Sequence, residues 1–294
     1  MNDREFLADR FEAHRGHLKA VAYRMLGSLS EAEDAVQEAW LRLSRTGSGD
    51  VENLAGWLTT VVGRVCLDML RARTSRREES LEARMPDPVV SPASGPDPEQ
   101  AALLADSVGL ALLVVLESLT PAERLAFVLH DMFAVPFEEI APLVGRSPGT
   151  ARQLASRARR RVRGAAPVPD PDLARQREIV GAFIAAAHRG DFAALVAVLD
   201  PDVVLRADAG ALTGGLAEVR GAANVAGQAL TFRRYSPSTA HSALVNGLAG
   251  VVNTVDGRPS AVMSFTITDG RIVEIDILAD PERLAGLDLA VLGD

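Results

Sequence analysis

The sequence predicts a multidomain chain: two all-α domains followed by an α+β domain. Three observations carry that prediction. Between residues 4 and 163, apolar residues recur at helical intervals behind recognisable caps. Two proline-rich stretches, 78–100 and 167–171, interrupt the pattern. Beyond residue 203 the pattern becomes strand-like, with Asp-Gly dipeptides between the runs. The expected division is 1–77, 78–100, 101–166 and 167–294.

In the first domain, Phe6, Leu7, Phe11, His14, Leu18, Val21, Ala22 and Met25 form one stripe of a helix over 4–26, closed by Gly27. A second helix is expected over 31–44, with Ser30 as its cap and Glu33 at the capping-box position. A third runs from about Leu54 to Arg73 and grows basic towards its end, through Arg64, Arg71 and Arg73 to Arg76 and Arg77.

The stretch from Leu119 to Gly164 carries the clearest chemistry. Thr120 caps a helix with Pro121 at its first position and Glu123 three residues on. A short helix with Phe137, Ile140, Ala141 and Leu143 ends at Gly145. Ser147 caps the next helix, with Ala151, Leu154, Ala155 and Ala158 on one face. Arg152, Gln153, Ser156, Arg157, Arg159, Arg160 and Arg163 lie on the other. No acid falls between Pro142 and Pro169. Two helices joined by a tight glycine turn, the second of them basic, form a helix-turn-helix with a recognition helix. Clustered arginine is what phosphate neutralisation requires.

The net charge of −8 alone argues against nucleic acid, but its distribution argues for it. Residues 170–294 hold 16 acidic and 10 basic residues, whereas the bases of the first half cluster. Cys66 is the only cysteine, which excludes an intramolecular disulfide and a Cys-based zinc site. The start, MNDREFLADRFEAHR, is charged, so no signal peptide is expected. No apolar run is long enough to span a bilayer, and a cytoplasmic protein without membrane contact is expected. No cofactor motif stands out.

The C-terminal 120 or so residues are expected to open with helices at Leu173–Arg189 and from about Asp191, followed by a strand from Val203. Ala217–Gln228 looks helical. Three β runs follow, at 243–255, 258–268 and 271–278. Helices followed by a meander give α+β.

The helix-turn-helix stretch from Leu119 to Gly164 resembles region 4 of bacterial sigma-70-type sigma factors, the module that reads the upstream promoter box. The resemblance implies upstream contacts from Arg146, Ser147, Thr150, Arg152, Gln153, Ser156, Arg157 and Arg160. "SEAEDAVQEAWLRL" resembles the region 2 helix that docks on RNA polymerase core, which implies that Asp34, Gln37 and Glu38 bind polymerase. "NLAGWLTTVVGRVCLDMLRARTSRRE" resembles the part of region 2 that melts and reads the downstream box. It implies DNA roles for Asn53, Trp57, Arg64, Arg71, Arg73 and Arg76, although the apolar context of Trp57 also fits a core aromatic. With only a linker between the two regions, the chain resembles the extracytoplasmic-function type.

"RMPDPVV" resembles a Pro-acidic-Pro motif of that linker in one group of such factors. "HRGDFAALVAVLDPDVVLRADAG" and the strands after it resemble a SnoaL-like cone. In the group that carries this domain, a signature near the end matches Asp280-Pro281-Glu282-Arg283-Leu284 in character. A glycine loop is partly kept at Asp208–Ala211. The resemblance implies intramolecular regulation through Pro86, Asp87, Pro88 and residues 280–284, with the chain's own C-terminal domain as a partner in cis. It also leaves room for a small-molecule ligand in the cone.

Cone folds host isomerases and cyclases, whose chemistry needs an acid or base in an apolar pocket. Asp208, Tyr235, His241 and Asp276 are the candidates, but they form no recognisable motif. The expected function is promoter-directed initiation, without enzymatic activity. A helix-turn-helix regulator that never enters polymerase, and a DNA-binding module tethered to an enzyme, are the alternatives.

Overall fold

The computed structural model describes residues 3–46, 53–77, 85–95, 109–210, 216–235 and 238–289. The chain divides into two compact units. One comprises Met1–Leu81, Ala101–Asp106 and Val115–Ala165, and the other Glu82–Gln100, Ser107–Val114 and Ala166–Asp294. The loop expected around Gly47–Gly49, Ala211, and linker positions 78–84 and 96–100 lie outside the described residues.

In the first unit, α1 (Asp3–Leu26), α2 (Leu29–Thr46) and α3 (Leu54–Arg77) pack on one another. Leu18, Val21, Met25, Leu43, Leu58, Val62 and Leu67 fill their core. Gly27 ends α1 with φ of 68°, where its amide bonds the Tyr23 carbonyl. The α2 start corrects the expectation of a Ser30 cap. The helix begins at Leu29, and the Ser28 carbonyl accepts from Ala32. Glu33 turns to Arg15 and Lys19 on α1 rather than to its own backbone.

The next helix, α4 (Leu110–Glu117), has no polar face until its last residue. It therefore carries no helical stripe in the sequence. Behind it, α5 (Pro121–Phe127) has the full capping box: Thr120 Oγ1 accepts from the Glu123 amide, and Glu123 Oε2 accepts from the Thr120 amide. After Phe127 the helix widens into a π turn at Val128–Met132. His130 closes that turn, stacking on Phe137 and bonding the Val135 carbonyl.

Helices α6 (Phe137–Val144) and α7 (Pro148–Ala165) form the helix-turn-helix. Gly145 sits between them at φ of 64°, and the Arg146 amide reaches back to the Ala141 carbonyl. Ala151, Ala155 and Ala158 are buried, and these small side chains let α7 lie close on α5 and α6. The two halves of this unit also touch, with α3 packing on α5 and α6. A Cβ on Gly63 would lie 3.0 Å from Leu129, so the helices meet where α3 has no side chain. Arg124, almost wholly buried, donates twice to the Arg24 carbonyl and once to Glu117 at 2.8 Å.

The second unit has an α+β architecture. Helices α8 (Leu173–Arg189), α9 (Phe192–Val198) and α10 (Ala222–Tyr235) cover one face of a seven-stranded sheet. The strands are β1 (Val90–Pro92), β2 (Leu199–Asp208), β3 (Leu216–Arg220), β4 (Thr239–Val245), β5 (Leu248–Val255), β6 (Arg258–Thr268) and β7 (Arg271–Leu278), and α11 (Pro281–Ala285) follows. Their order is β1-β4-β5-β6-β7-β2-β3, with β2 parallel to β7 and every other pair antiparallel. Phe183, Leu195, Val225, Phe265 and Ile275 fill the core between helices and sheet. A second cluster joins Val90, Ala243, Val245, Val252, Val262, Leu278 and Leu284.

Both Asp-Gly dipeptides form the expected turns, with positive φ at each residue. Three readings need correction. The run 243–255 is a hairpin, turned at Asn246-Gly247 with φ of 50° and 78°. The segment expected as one helix from Ala217 is strand β3, then α10 beginning at Ala222. Within the proline-rich linker, residues 90–92 are a strand of the C-terminal sheet.

The turn glycine gives a direct test of this local reading. Gly145→Ala has open space for its methyl but keeps a left-handed backbone, so it is expected to cost about 1–2 kcal/mol. Gly149→Ala, in the first turn of α7 with no close neighbour, is expected to be neutral or to gain up to ~1 kcal/mol. Denaturant unfolding of both variants checks the contrast.

Candidate nucleic-acid and polymerase interfaces and the linker clamp

Asp34, Gln37, Glu38 and Leu41 share one edge of α2. Asp34 and Gln37 are exposed, and Leu41 is an exposed large apolar side chain. Glu38 is half-buried and pairs with Arg42 at 2.9 Å. An acidic edge with one bare leucine suits a helical partner surface that offers cations around an apolar patch.

The predicted downstream-box residues separate by environment. Asn53 caps α3, its Oδ1 accepting from the Gly56 amide at 3.0 Å, which leaves its amide nitrogen at an exposed helix start. Trp57 is half-buried. Arg64 is exposed and lines an open cleft of about 460 Å³ with Arg42, Thr60, Val61, Asp68 and Leu143. Arg71 is exposed and 3.7 Å from Asp68. Arg73 is already engaged, pairing with Glu31 and donating to the Leu26 carbonyl at 2.9 Å. It thus ties α3 to the α1–α2 corner. The side chain of Arg76 lies outside the described residues.

On the recognition helix α7, Arg146, Ser147, Arg152, Gln153, Arg157 and Arg160 are exposed, and Thr150 and Ser156 half-buried. Ser147 Oγ accepts from the Thr150 amide at 3.3 Å and so caps the helix. The Arg152 guanidinium lies 5.1 Å over the Phe137 ring, a cation–π contact that holds it at the α6–α7 junction. Arg159 and Arg161 pair with Asp131 and Glu123. Arg146, Arg157, Arg160 and Arg163 are exposed and form the outward basic face.

The linker clamp sits in the second unit. Arg283 is buried and makes three kinds of contact: to Asp87 in the linker, to Asp208 Oδ2 at 2.7 Å, and to the Met85 carbonyl at 2.6 Å. The Met85 amide donates back to Asp208 Oδ2 at 3.1 Å. Asp280 caps α11 by accepting from the Glu282 and Arg283 amides, which fixes the direction of the arginine. Gly210, at φ of 83°, lets the Asp208 loop approach, since a Cβ there would lie 2.9 Å from Asp280. Pro86 and Pro88 are buried on either side of Asp87. Beyond them, the Val89 amide donates to Asn246 Oδ1 and the Asn246 amide to the Val89 carbonyl. Leu284 packs with Val90 in the second apolar cluster. Pro281 opens α11, and Glu282 lies in its first turn.

The candidate acids and bases of this unit are all engaged where they are described. Asp208 serves the clamp. His241 Nε2 is 2.9 Å from Thr254 Oγ1. Asp276 and Glu274 share Arg206 at 3.1 and 3.0 Å. Burial pushes the Asp276 carboxyl up to about 6; Arg206 pulls against this, and Glu274 adds to it. The ring of Tyr235 lies outside the described residues.

Comparison with known proteins decides the family. Residues 10–76 match the Sigma-70 region 2 family and residues 109–162 the Sigma-70 region 4 family. The chain is 41% identical over 293 residues to the ECF RNA polymerase sigma factor SigJ of Mycobacterium tuberculosis, which covers 95% of this chain and 93% of that protein. The chain is an extracytoplasmic-function RNA polymerase sigma factor.

The probable ECF sigma factor SigI of the same species is 36% identical over 284 residues, covering 97% of each. A crystal structure of M. tuberculosis SigJ matches the sigma factor with a TM-score of 0.78 and 38% identity, over 96% of this chain and 99% of that one. The reading as a helix-turn-helix regulator outside polymerase is not favoured. RNA polymerase and promoter DNA are the partners of the class. Among the described residues no helix is long and apolar enough to cross a membrane. Sequence reasoning missed Asn246 as a linker ligand; its signal was the Asn-Gly turn itself.

Two predictions follow from these geometries. Gln153→Ala is expected to weaken binding to the cognate upstream box by about 1–3 kcal/mol and to spare scrambled DNA. Arg160→Ala should weaken both alike and lower the salt slope by about one. Titrations at several salt concentrations separate the two outcomes. The Asp276 carboxyl binds its proton more tightly in the folded chain than the ordinary value of 3.8. Its ionisation therefore costs stability as pH rises through about 6, and protonation relieves that cost as pH falls. Relative to Asp276→Asn, the wild type should lose up to about 3 kcal/mol between pH 4 and pH 7.5, read by denaturant unfolding across that range.

Proposed function

We propose that the C-terminal domain governs this sigma factor by capturing the linker between its two sigma domains. The observation that carries the proposal is that residues 85–92 are built into the second unit, through strand β1 and the Arg283–Asp87–Asp208 contacts. A segment fixed as a sheet strand is not free to span two polymerase-bound domains. Capture and initiation therefore compete for the same residues, and polymerase binding shifts the balance. Released and extended, residues 85–95 supply about 35 Å of reach at about 3.3 Å each.

In this reading Asp34, Gln37 and Glu38 dock on core polymerase. Asn53, Trp57, Arg64 and Arg71 serve the downstream box, and the exposed face of α7 the upstream box. The packing of α3 on α5 and α6 belongs to the silent form. The C-terminal domain acts by binding rather than by catalysis. Its candidate carboxylates are taken up by arginines, and Phe183, Leu195, Phe265 and Ile275 fill its helix-side core. A small-molecule ligand is not needed for this role.

The test is transcription from a cognate promoter with core polymerase. Asp87→Ala, or truncation just before Asp280, is expected to raise activity several-fold. Truncation at Pro167 should lower it, because the resemblance to sigma factors that carry this domain implies that a portion of it is needed for activity. Glu38→Lys should weaken core binding in a pull-down while leaving the fold intact. Equal activity from full-length protein and both truncations, at matched folded concentration, would show that the domain does not regulate in cis.

A further inference from the structure

The linker occupies only part of the edge on which it sits. Strand β4 runs from Thr239 to Val245, but β1 pairs only Ala243, Leu244 and Val245. Thr239 and Ser242 are exposed, and Ala240 and His241 half-buried. Among the described residues no strand pairs with the outer side of Thr239–Ser242. An open edge of this kind is a template for another extended segment.

The linker leaves the edge for a reason visible in its own sequence. Pro92, opposite Ala243, has no amide to donate to a ladder. Ala93 and Ser94 then turn, with the Gly95 amide on the Pro92 carbonyl at 3.0 Å, and Arg177 holds the Ala93 carbonyl. Up to that turn, recognition rests on portable features. Arg283 reads one carboxylate, Asn246 pairs with one backbone position, and Ala243, Val245, Leu278 and Leu284 receive one apolar side chain, Val90. None of these requires the peptide to belong to the same chain.

We propose that the β4 edge and Arg283 form a peptide-reading site for a second protein, which enters as an added strand and displaces the linker. The partner segment is extended. It carries Asp or Glu two residues before an apolar pair, in the manner of Asp87 before Val89-Val90. It then continues with β-branched residues and no proline, so that it pairs with Thr239–Ser242 as well. Main-chain bonding supplies affinity, and the carboxylate and apolar positions supply selectivity. The linker is an incomplete occupant favoured by its high local concentration. A longer strand in trans compensates for that advantage with additional pairing. Such a partner would relieve linker capture, a consequence that rests on the proposed regulation, whereas the binding itself does not.

The experiment titrates a fluorescent peptide copy of residues 85–95 with the full-length chain carrying Asp87→Ala, which weakens the competing linker. A peptide with Pro92→Val and Gly95→Val is expected to bind at least ten-fold tighter than the parent copy. It should also slow amide exchange at Ala240–Ser242, which lie opposite its residues 93–95. Placing Asp87→Ala in the tighter peptide should cost at least ten-fold, and the wild-type chain should bind it more weakly than the Asp87→Ala chain. No binding of the extended peptide, no gain over the parent copy, or indifference to its Asp87 would each overturn the proposal. These outcomes are read by anisotropy and exchange, so they are distinct from failure of the transcription assays.

Discussion

A guanidinium with almost no solvent contact needs acceptors on every side, and Arg283 obtains them from three places in the sequence. Asp208 lies 75 residues away and Asp87 196 residues away, and the Met85 carbonyl completes the set. Removing any one partner leaves buried charge behind, which costs about 3–5 kcal/mol when a buried pair is broken. The arginine thus couples three segments that have little else in common: the Asp208 loop, the short helix α11, and the linker. Asp280 orients it from below by capping that helix, and Gly210 makes room for the loop. Strand β1 adds only three residues to the sheet, a short run for so long a loop. The charge cluster is what makes so short a strand stay.

The first unit shows the same economy with a different device. Arg124 lies buried in the helix-turn-helix half and donates to a carbonyl of α1, while Gly63 lets Leu125 and Leu129 approach α3. Each contact lies on a face that the exposed functional surfaces do not use. The acidic edge of α2 and the basic face of α7 both remain exposed. The sigma factor can hold its two halves together without covering the residues proposed to meet polymerase and the promoter.

Much of this was legible because local chemistry sets local structure. The Thr120 capping box, the left-handed Gly145, the helix start near Asp191 and both Asp-Gly turns appear where their residue types place them. Periodicity failed where it carries no information. Helix α4 is apolar all round, and the run 243–255 is apolar through a hairpin whose Asn-Gly turn was overlooked. Strand β3 alternates Glu and Arg with small residues and reads as the first turns of the helix after it. Proline concealed β1, since a proline-rich stretch reads as tether until an edge is known to receive it. For the candidate site, the exposed positions of α7 followed from its helical faces, and those of α2 from the resemblance to region 2. The fate of Arg73 did not, because its partners Glu31 and Leu26 are fixed only by tertiary packing.

The central claim is that the linker is a strand of the C-terminal sheet in the free sigma factor and leaves it on engagement. Amide hydrogen exchange across Val89–Ser91 and Ala243–Asn246, measured with and without core polymerase and promoter DNA, tests this most directly. The account predicts slow exchange at these amides in the free chain and a marked acceleration in the initiation complex, with the central strands β5 to β7 unchanged. Equal protection in both states would contradict it.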